Sequence, residues 1–391
     1  PTANMAAEDD TMQAGATETN DADEPEEESL FFVEADEVLG LITSFSDPEK
    51  TAAAHAAAAE RVAHVLDRYQ EQPTVLDPQL EAMVVPLLEA VRAVARDGAS
   101  RELLPHTCRV MYTLCKVRGY KTIVRFVPHE VADLEPLVAL LMSLDPTDYA
   151  SWQVAYSLMV WLCMVVMIPF DLAIIDSGQV AAADGADADA AAPLTLVGKI
   201  LQVARLHLGS TGPAREAAAV LLARLLTRPG MQAKLREFVQ WGAAKLAERE
   251  AGGEGHDEIK SSFLMAGIYS ALACAMKLGH RVELLPTLTH LAALTSNPKA
   301  LLEDPSVTRR KLGMKLLQRA ALVYLPSKVA AWRYQRGARS LEHNLAQSRD
   351  DLAQSRALSE EAAAAKAAGG AAAAEAAGGA AAAEAAGGAA A

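Results

Sequence analysis

From Leu41 to about Asn344 the chain reads as one helix-length segment after another, each closed by a short break. Candidate helices span roughly 48–71, 77–97, 99–117, 130–144, 148–168, 194–209, 213–228, 231–250, 259–279, 281–296, 306–325 and 327–346. The breaks carry helix-stopping chemistry: Gln72-Pro73, Asp97-Gly98, Asp145-Pro146, Arg228-Pro229-Gly230 and Ala251-Gly252-Gly253. Within Asp77–Arg96, Leu80, Val84, Leu87, Leu88, Val91 and Val94 or Ala95 recur at threes and fours and form one apolar stripe. Asp77 before Pro78 predicts an N-cap followed by a first-turn proline, and Pro86 predicts a kink. No strand-type alternation interrupts the series. Paired helices of about 15 to 20 residues with short turns are the units of arrays that repeat at about 40 to 47 residues. The expected fold is therefore all-α, a HEAT/armadillo-like helical-repeat solenoid, with a compact helical bundle as the alternative.

Composition agrees. The 391 residues are 51% hydrophobic but only 5% aromatic. Alanine and leucine supply most of the apolar content, which suits helices packed through small and γ-branched side chains. The organisation predicted is a disordered acidic head (1–40), helical repeats (41–175), a flexible Gly/Ala/Asp linker (176–193), further repeats (194–345) and a low-complexity tail (346–391). From Ala362 the unit AAAA(K/E)AAGG recurs every nine residues, and its glycine pairs oppose helix propagation. Leu345 and Leu352 open a duplicated seven-residue word, too short to establish a coiled coil.

Charge is sorted along the chain. The formal net charge is −14, but residues 1–37 hold thirteen acids and no base, leaving −1 for the remainder. Two stretches are basic. Pro305–Leu341 contains nine Lys or Arg residues and no acid. On a helix, Lys311, Lys315 and Arg319 share a face beside an inward face of Leu312, Leu316 and Val323. In the next segment Lys328, Trp332, Arg336 and Arg339 recur at threes and fours, Arg333 lies alongside, and Trp332 is placed to stack under Arg336. The second stretch, Leu103–His129, carries Arg109, Lys116, Arg118, Lys121 and Arg125 with no acid. Gly119 is expected to end or bend a helix there and to present Arg118, Tyr120 and Lys121 on a turn. Both stretches are candidate partner-binding surfaces, against the plainer reading of solvated faces and cations near helix C-termini. Nucleic acid fits less well than an acidic protein. The sequence has no ribonucleoprotein word, zinc finger or phosphate loop, and its pI is about 5.2.

Chemistry of its own is not indicated. The common dinucleotide, nucleotide, metalloprotease and serine-hydrolase motifs are missing, and no cofactor is expected. His129, Glu130 and Asp133 follow Pro128 as a helix start with acids in its first turn. Cys108, Cys115, Cys163 and Cys274 form no CxxC pair and read as buried thiols of a reducing compartment, without a metal site. No charged n-region with an apolar core follows Pro1, so no secretory signal is expected. The longest apolar run, Leu158–Ile168, is eleven residues. A bilayer span needs about 20, so this run is expected to be a fully buried core helix, with no membrane insertion.

Four long words carry a resemblance: DRYQEQPTVLDPQLE (67–81), KVRGYKTIVRFVPHEVADLEP (116–136), WLCMVVMIPFDL (161–172) and RKLGMKLLQRAALVYLPSKVAAWRYQRGARSL (310–341). In this order they resemble the tubulin-folding cofactor D family, over roughly residues 60–345. The resemblance implies armadillo-like repeats that capture β-tubulin after the cytosolic chaperonin. It implies assembly with cofactors C and E around the α/β-tubulin pair, stimulation of GTP hydrolysis by tubulin, and binding of an ADP-ribosylation-factor-like small GTPase. The expected setting is the cytoplasm, with microtubules and centrosomes or basal bodies, and the catalytic site belongs to the partners. Family members are longer, and here Ala338 stands where cysteine is usual and the Ala/Gly repeat follows the WRYQRG word. The expectation is an N-terminal part of a longer array, aggregation-prone alone and weak in tubulin binding. The alternative is a helical-repeat adaptor without a tubulin role.

Overall fold

The computed structural model describes residues 31–47, 50–98, 101–146, 148–176, 194–251, 258–295 and 304–325. Apart from Leu325, these fall in one compact unit, Pro1–Tyr324. The first eight helices are α1 (Ala35–Thr43), α2 (Ala52–Asp67), α3 (Leu80–Asp97), α4 (Leu104–Leu114), α5 (Tyr120–Ile123), α6 (Leu134–Met142), α7 (Trp152–Val165) and α8 (Leu172–Ile175). The rest are α9 (Leu196–His207), α10 (Pro213–Leu226), α11 (Gln232–Ala251), α12 (Glu258–Leu278), α13 (Arg281–Thr295) and α14 (Val307–Tyr324). No strand occurs among the described residues.

The helices stack in two rows. In one, α2 packs on α4, then α7, α10, α12 and α14 follow in turn. In the other, α3 packs on α6 and α6 on α9, while α11 packs on α13. The pairs α3–α4, α6–α7, α9–α10, α11–α12 and α13–α14 join the rows. This is a helical-repeat solenoid. The first row is the more apolar because each of its inner helices has a neighbour on both sides. In α7 every residue from Val154 to Cys163 is buried. In α10 the buried face is built on Ala214, Ala217, Ala218, Ala219 and Ala223, small side chains that let backbones approach closely. The closest approach is made by Gly267 of α12, where an added Cβ would overlap the Leu208 carbonyl oxygen.

The apolar run at Leu158 is only partly the buried helix it predicts. Helix α7 stops at Val165, Met164 is only partly buried and Met167 is exposed. The carbonyls at this end cannot be satisfied within the helix. Two arginines serve them instead, Arg224 in the last turn of α10 and Arg228 just beyond its end. Arg224 donates to the Cys163 carbonyl at 2.9 Å, and Arg228 donates to Val166, to Ile168 at 2.8 Å and to Phe170 at 2.6 Å. Helix α12, by length and hydropathy alone, could cross a membrane. Here it lies between α10 and α14, with Met265–Ala273 buried in the core apart from one partly open position, Ser270.

Several boundaries differ from the sequence reading. The head expected to be disordered to residue 40 includes α1, whose Val38 and Ile42 are buried. Its acids are held: Glu37 pairs with Arg61 at 2.7 Å, and Glu34 takes Arg68 at 2.8 Å and the Tyr69 hydroxyl. Asp77 is no N-cap. Pro73–Gln79 forms a 3-10 turn and α3 begins only at Leu80, with Pro86 in its interior. Asp176 is no free linker residue. It is buried and accepts the Leu196 N–H at 2.7 Å, one of the orphan donors at the start of α9, where Thr195 takes Gly198 at 3.0 Å. The helix predicted over 99–117 is broken: α4 ends at Leu114 and a π turn runs from Cys115 to Gly119. The expected helix 327–346, residues 177–193 of the linker and the tail from 346 lie outside the described residues.

His129, Glu130 and Asp133 do more than start a helix. Asp133 is 1% exposed and lies 3.0 Å from Arg92 and 2.6 Å from Arg96, both on α3. Glu130 bridges the same two arginines at 3.2 and 3.0 Å. The Arg92 guanidinium lies 5.9 Å from the Trp161 ring, and the Trp161 indole donates to the Pro128 carbonyl at 3.3 Å. One network therefore ties α3, α6 and α7. His129 is exposed and stands apart from it.

The last described helix is anchored by charge. Arg309 is 3% exposed, lies 2.6 Å from Asp304 and donates to the Ser262 hydroxyl of α12. Further along α14, Arg319 donates to the Ala273 carbonyl at 2.6 Å, while Leu316 and Val323 enter the core. Burial pushes the Asp304 carboxyl up, but hydrogen bonds from Arg309 and the Ser306 N–H, with the Arg309 and Arg249 charges, outweigh it and hold the group below its ordinary value of 3.8.

Two outcomes follow from this packing. Gly267→Ala should lower stability by about 1–3 kcal/mol through overpacking, whereas Gly40→Ala, in open space on α1, should raise it by about 1 kcal/mol or less. Chemical denaturation followed by circular dichroism checks both, and a stabilised Gly267→Ala would contradict the close α12 approach. Asp304→Asn leaves Arg309 buried without its counter-charge and should cost about 3 kcal/mol near neutral pH. Because the folded carboxyl is depressed, its contribution is present above the ordinary carboxylate value and is lost as pH falls through the folded pKa. The stability difference between parent and variant should therefore close on acidification; a difference that stays constant with pH would contradict the pairing.

Candidate partner-binding surfaces

In the Leu103–His129 stretch the local break is set by Gly119, whose φ of 87° lies in a region that disfavours side chains. The π turn ahead of it aims cations back at the preceding repeat. Lys116 lies 3.0 Å from Asp67 at the end of α2. Arg118 holds Asp77 through two hydrogen bonds, one of them 2.7 Å. These bonds, outweighing burial, keep the Asp77 carboxyl below its usual range. Arg109 lies 3.9 Å from Glu60. Lys121 and Arg125 are exposed and form no ion pair among the described residues.

The expected turn presenting Arg118, Tyr120 and Lys121 together is thus divided. Lys121 faces solvent, Arg118 is engaged by Asp77, and Tyr120 is half-buried against the core, where burial pushes its hydroxyl pKa up. The Pro305–Leu341 stretch divides the same way. Lys311 and Lys315 are exposed without an ion pair among the described residues, while Arg319 turns in to the Ala273 carbonyl. Arg309 is neutralised by Asp304, which stands one residue before the acid-free window. Trp332, Arg333, Arg336 and Arg339 lie outside the described residues.

Among the described residues, the exposed cations without an ion pair are therefore Lys121 and Arg125 in one stretch and Lys311 and Lys315 in the other. The pairings that remove the rest join residues 41 and 49 positions apart, which no local window reveals. Asp304 was the one signal within reach, since it lies five residues from Arg309 on the same helix approach. Burial pushes the thiols of Cys108 and Cys115 up to about 12 and that of Cys163 up to about 11, while Cys274 is partly exposed. Among the described residues no three His, Cys, Asp or Glu side chains are grouped to hold a metal ion.

Two family models match the chain. "Tubulin-specific chaperone D-like, ARM repeat" covers residues 66–246, from the end of α2 into α11, and "Tubulin-specific chaperone D-like, ARM repeats" covers residues 308–377, from the start of α14. Tubulin-specific chaperone D of Dictyostelium discoideum is 26% identical over 365 residues, covering 71% of this chain and 25% of the relative. Tubulin-folding cofactor D of Schizosaccharomyces pombe is 24% identical over 267 residues, covering 68% of this chain and 21% of the relative. The chain thus spans about a quarter of the length of the curated relatives it matches. An engineered protein of known crystal structure aligns at 16% identity and a TM-score of 0.42, over 73% of this chain and 97% of that one. That last likeness carries no argument. The two family models together take in more than half of the residues, so the chain belongs to the tubulin-specific chaperone D-like family of ARM-repeat proteins.

Proposed function

We propose that this chain acts in tubulin folding, as a stretch of repeat scaffold that holds β-tubulin during post-chaperonin assembly of the α/β heterodimer. The observation that carries the reading is the pair of family matches, at 66–246 and 308–377. In this reading the chain works with cofactors C and E, promotes GTP hydrolysis that occurs on tubulin, and meets an ADP-ribosylation-factor-like small GTPase. It is a scaffold and GTPase activator of the cytoplasm, at microtubules and centrosomes or basal bodies, and performs no hydrolysis itself. A stack of helix pairs suits this role because it offers a continuous surface larger than any single pair. Tubulin is an acidic client, and the exposed cations Lys121, Arg125, Lys311 and Lys315 would speed and orient its capture more than they would set its affinity.

The test is association of purified tubulin with the immobilised 391-residue chain at low and moderate salt. Lys311→Glu combined with Lys315→Glu should slow association by about tenfold at low salt, with the gap narrowing as salt screens the charges. Helix content should not change, since neither lysine supports the core. A folded, monodisperse chain that captures no tubulin would overturn the reading; tubulin capture with unaltered kinetics in the double variant would remove this face from it.

A further inference from the structure

The α6–α7 turn, α9 with the turn that follows it, α11 and the start of α12 enclose an open cleft of ≈ 1340 Å³. Its walls are aromatic: Trp152, Trp241 and Phe263 all line it. Its rim is apolar and open, with Tyr149 79% and Ile259 70% exposed. Large apolar side chains standing open around a concavity mark a surface made to be covered.

Two side chains of the cleft carry buried polar atoms without a hydrogen-bond partner, Arg205 and His207. Arg205 lies 5.0 Å from the Trp241 ring and 5.7 Å from the Phe238 ring. It forms no salt bridge among the described residues, and its buried Nε has no hydrogen-bond partner. The Glu237 charge acts on it, yet that carboxylate is held by Lys234 at 2.9 Å. His207, 4% exposed, also lines the cleft and has an unpartnered Nε2. The start of α10 opens into the same space through Gly209–Ala214. Gly212 occupies its N-cap, Pro213 carries no N–H and the Arg215 N–H bonds the Gly212 carbonyl at 3.1 Å, so this turn offers the Ala214 N–H and the positive end of the helix dipole. A guanidinium packed on two rings is pre-positioned, and it lacks the carboxylate that would complete it.

We propose that this cleft seats an extended acidic segment of a partner protein, with a carboxylate on Arg205 and the α10 N-terminus and neighbouring apolar side chains over Trp241, Tyr149 and Ile259. A nucleic-acid strand fits worse. Its backbone offers no aliphatic side chains to cover the open Tyr149 and Ile259. The inference does not depend on the partner being tubulin, since the chemistry names only an acidic and apolar peptide.

The experiment is fluorescence anisotropy with the full chain and three labelled probes: the peptide Glu-Glu-Leu-Glu-Glu-Phe, its glutamine counterpart Gln-Gln-Leu-Gln-Gln-Phe, and a thymidine oligonucleotide. The acidic peptide should bind about tenfold or more tightly than the glutamine peptide, and Arg205→Gln should erase that difference. Ile259→Asp, a rim change that leaves the core intact, should weaken both peptides and keeps the test valid even if Arg205→Gln fails to fold. Equal binding of the two peptides, indifference to Ile259→Asp, or preference for the oligonucleotide would overturn the proposal. So would self-association in sedimentation that Ile259→Asp abolishes, because a second copy would then be the occupant.

Discussion

Everything in this fold depends on each helix of the apolar row being covered on both sides. Helices α7, α10 and α12 are too apolar to face water, and none can bury its surface against its own pair alone. Each large core side chain taken from water contributes roughly 1.5–3 kcal/mol, and these helices contribute them in runs. Stability is therefore shared between neighbouring repeats and falls where a neighbour is removed. The alanines of α10 and Gly267 of α12 set how close the helices come. Small residues here are a packing device rather than a sign of weak structure.

Apolar contact alone does not define the register of one repeat against the next. That is done by polar groups with strict geometry. The Arg92–Arg96–Glu130–Asp133 network ties three helices, and Asp133 is so deeply buried that misplacing it would leave a charge without a partner. Arg224 and Arg228 do similar work at the end of α7, where they occupy carbonyls that would otherwise be orphaned. Arg309 and Asp304 anchor α14 to α12. In each case an arginine of one element completes the hydrogen bonding of another, so the stack has few ways to slip.

The same residue type thus serves two purposes, and the division shapes the functional reading. Among the described residues of the basic stretches, Arg118, Arg309 and Arg319 are turned to acids or a carbonyl, while Lys121, Lys311 and Lys315 remain in water with Arg125. Lysine suits the exposed role because its compact charge is strongly hydrated, whereas the planar guanidinium suits buried recognition. Arg205 is the departure from this pattern. It is packed on aromatic rings like a structural arginine and yet lacks the acceptor that the others have.

By itself the sequence determined the fold class and most helix positions. Amphipathic spacing, Pro/Gly breaks and the absence of strand alternation are local properties, and they are legible in any window of a dozen residues. The words shared with the tubulin-folding cofactor D family were legible for the same reason. Tertiary structure alone decided which charges are free. Asp67, Asp77 and Glu60 lie far along the chain from Lys116, Arg118 and Arg109, so an acid-free stretch of sequence became a largely neutralised stretch of surface. It likewise placed α1 within the core, recruited Asp176 to the start of α9, and assembled the Arg205 cleft from four separate segments. The physical reason is common to all of these. Helix formation is governed by neighbours within a turn or two, whereas burial, ion pairing and concavity are governed by neighbours that only folding brings together.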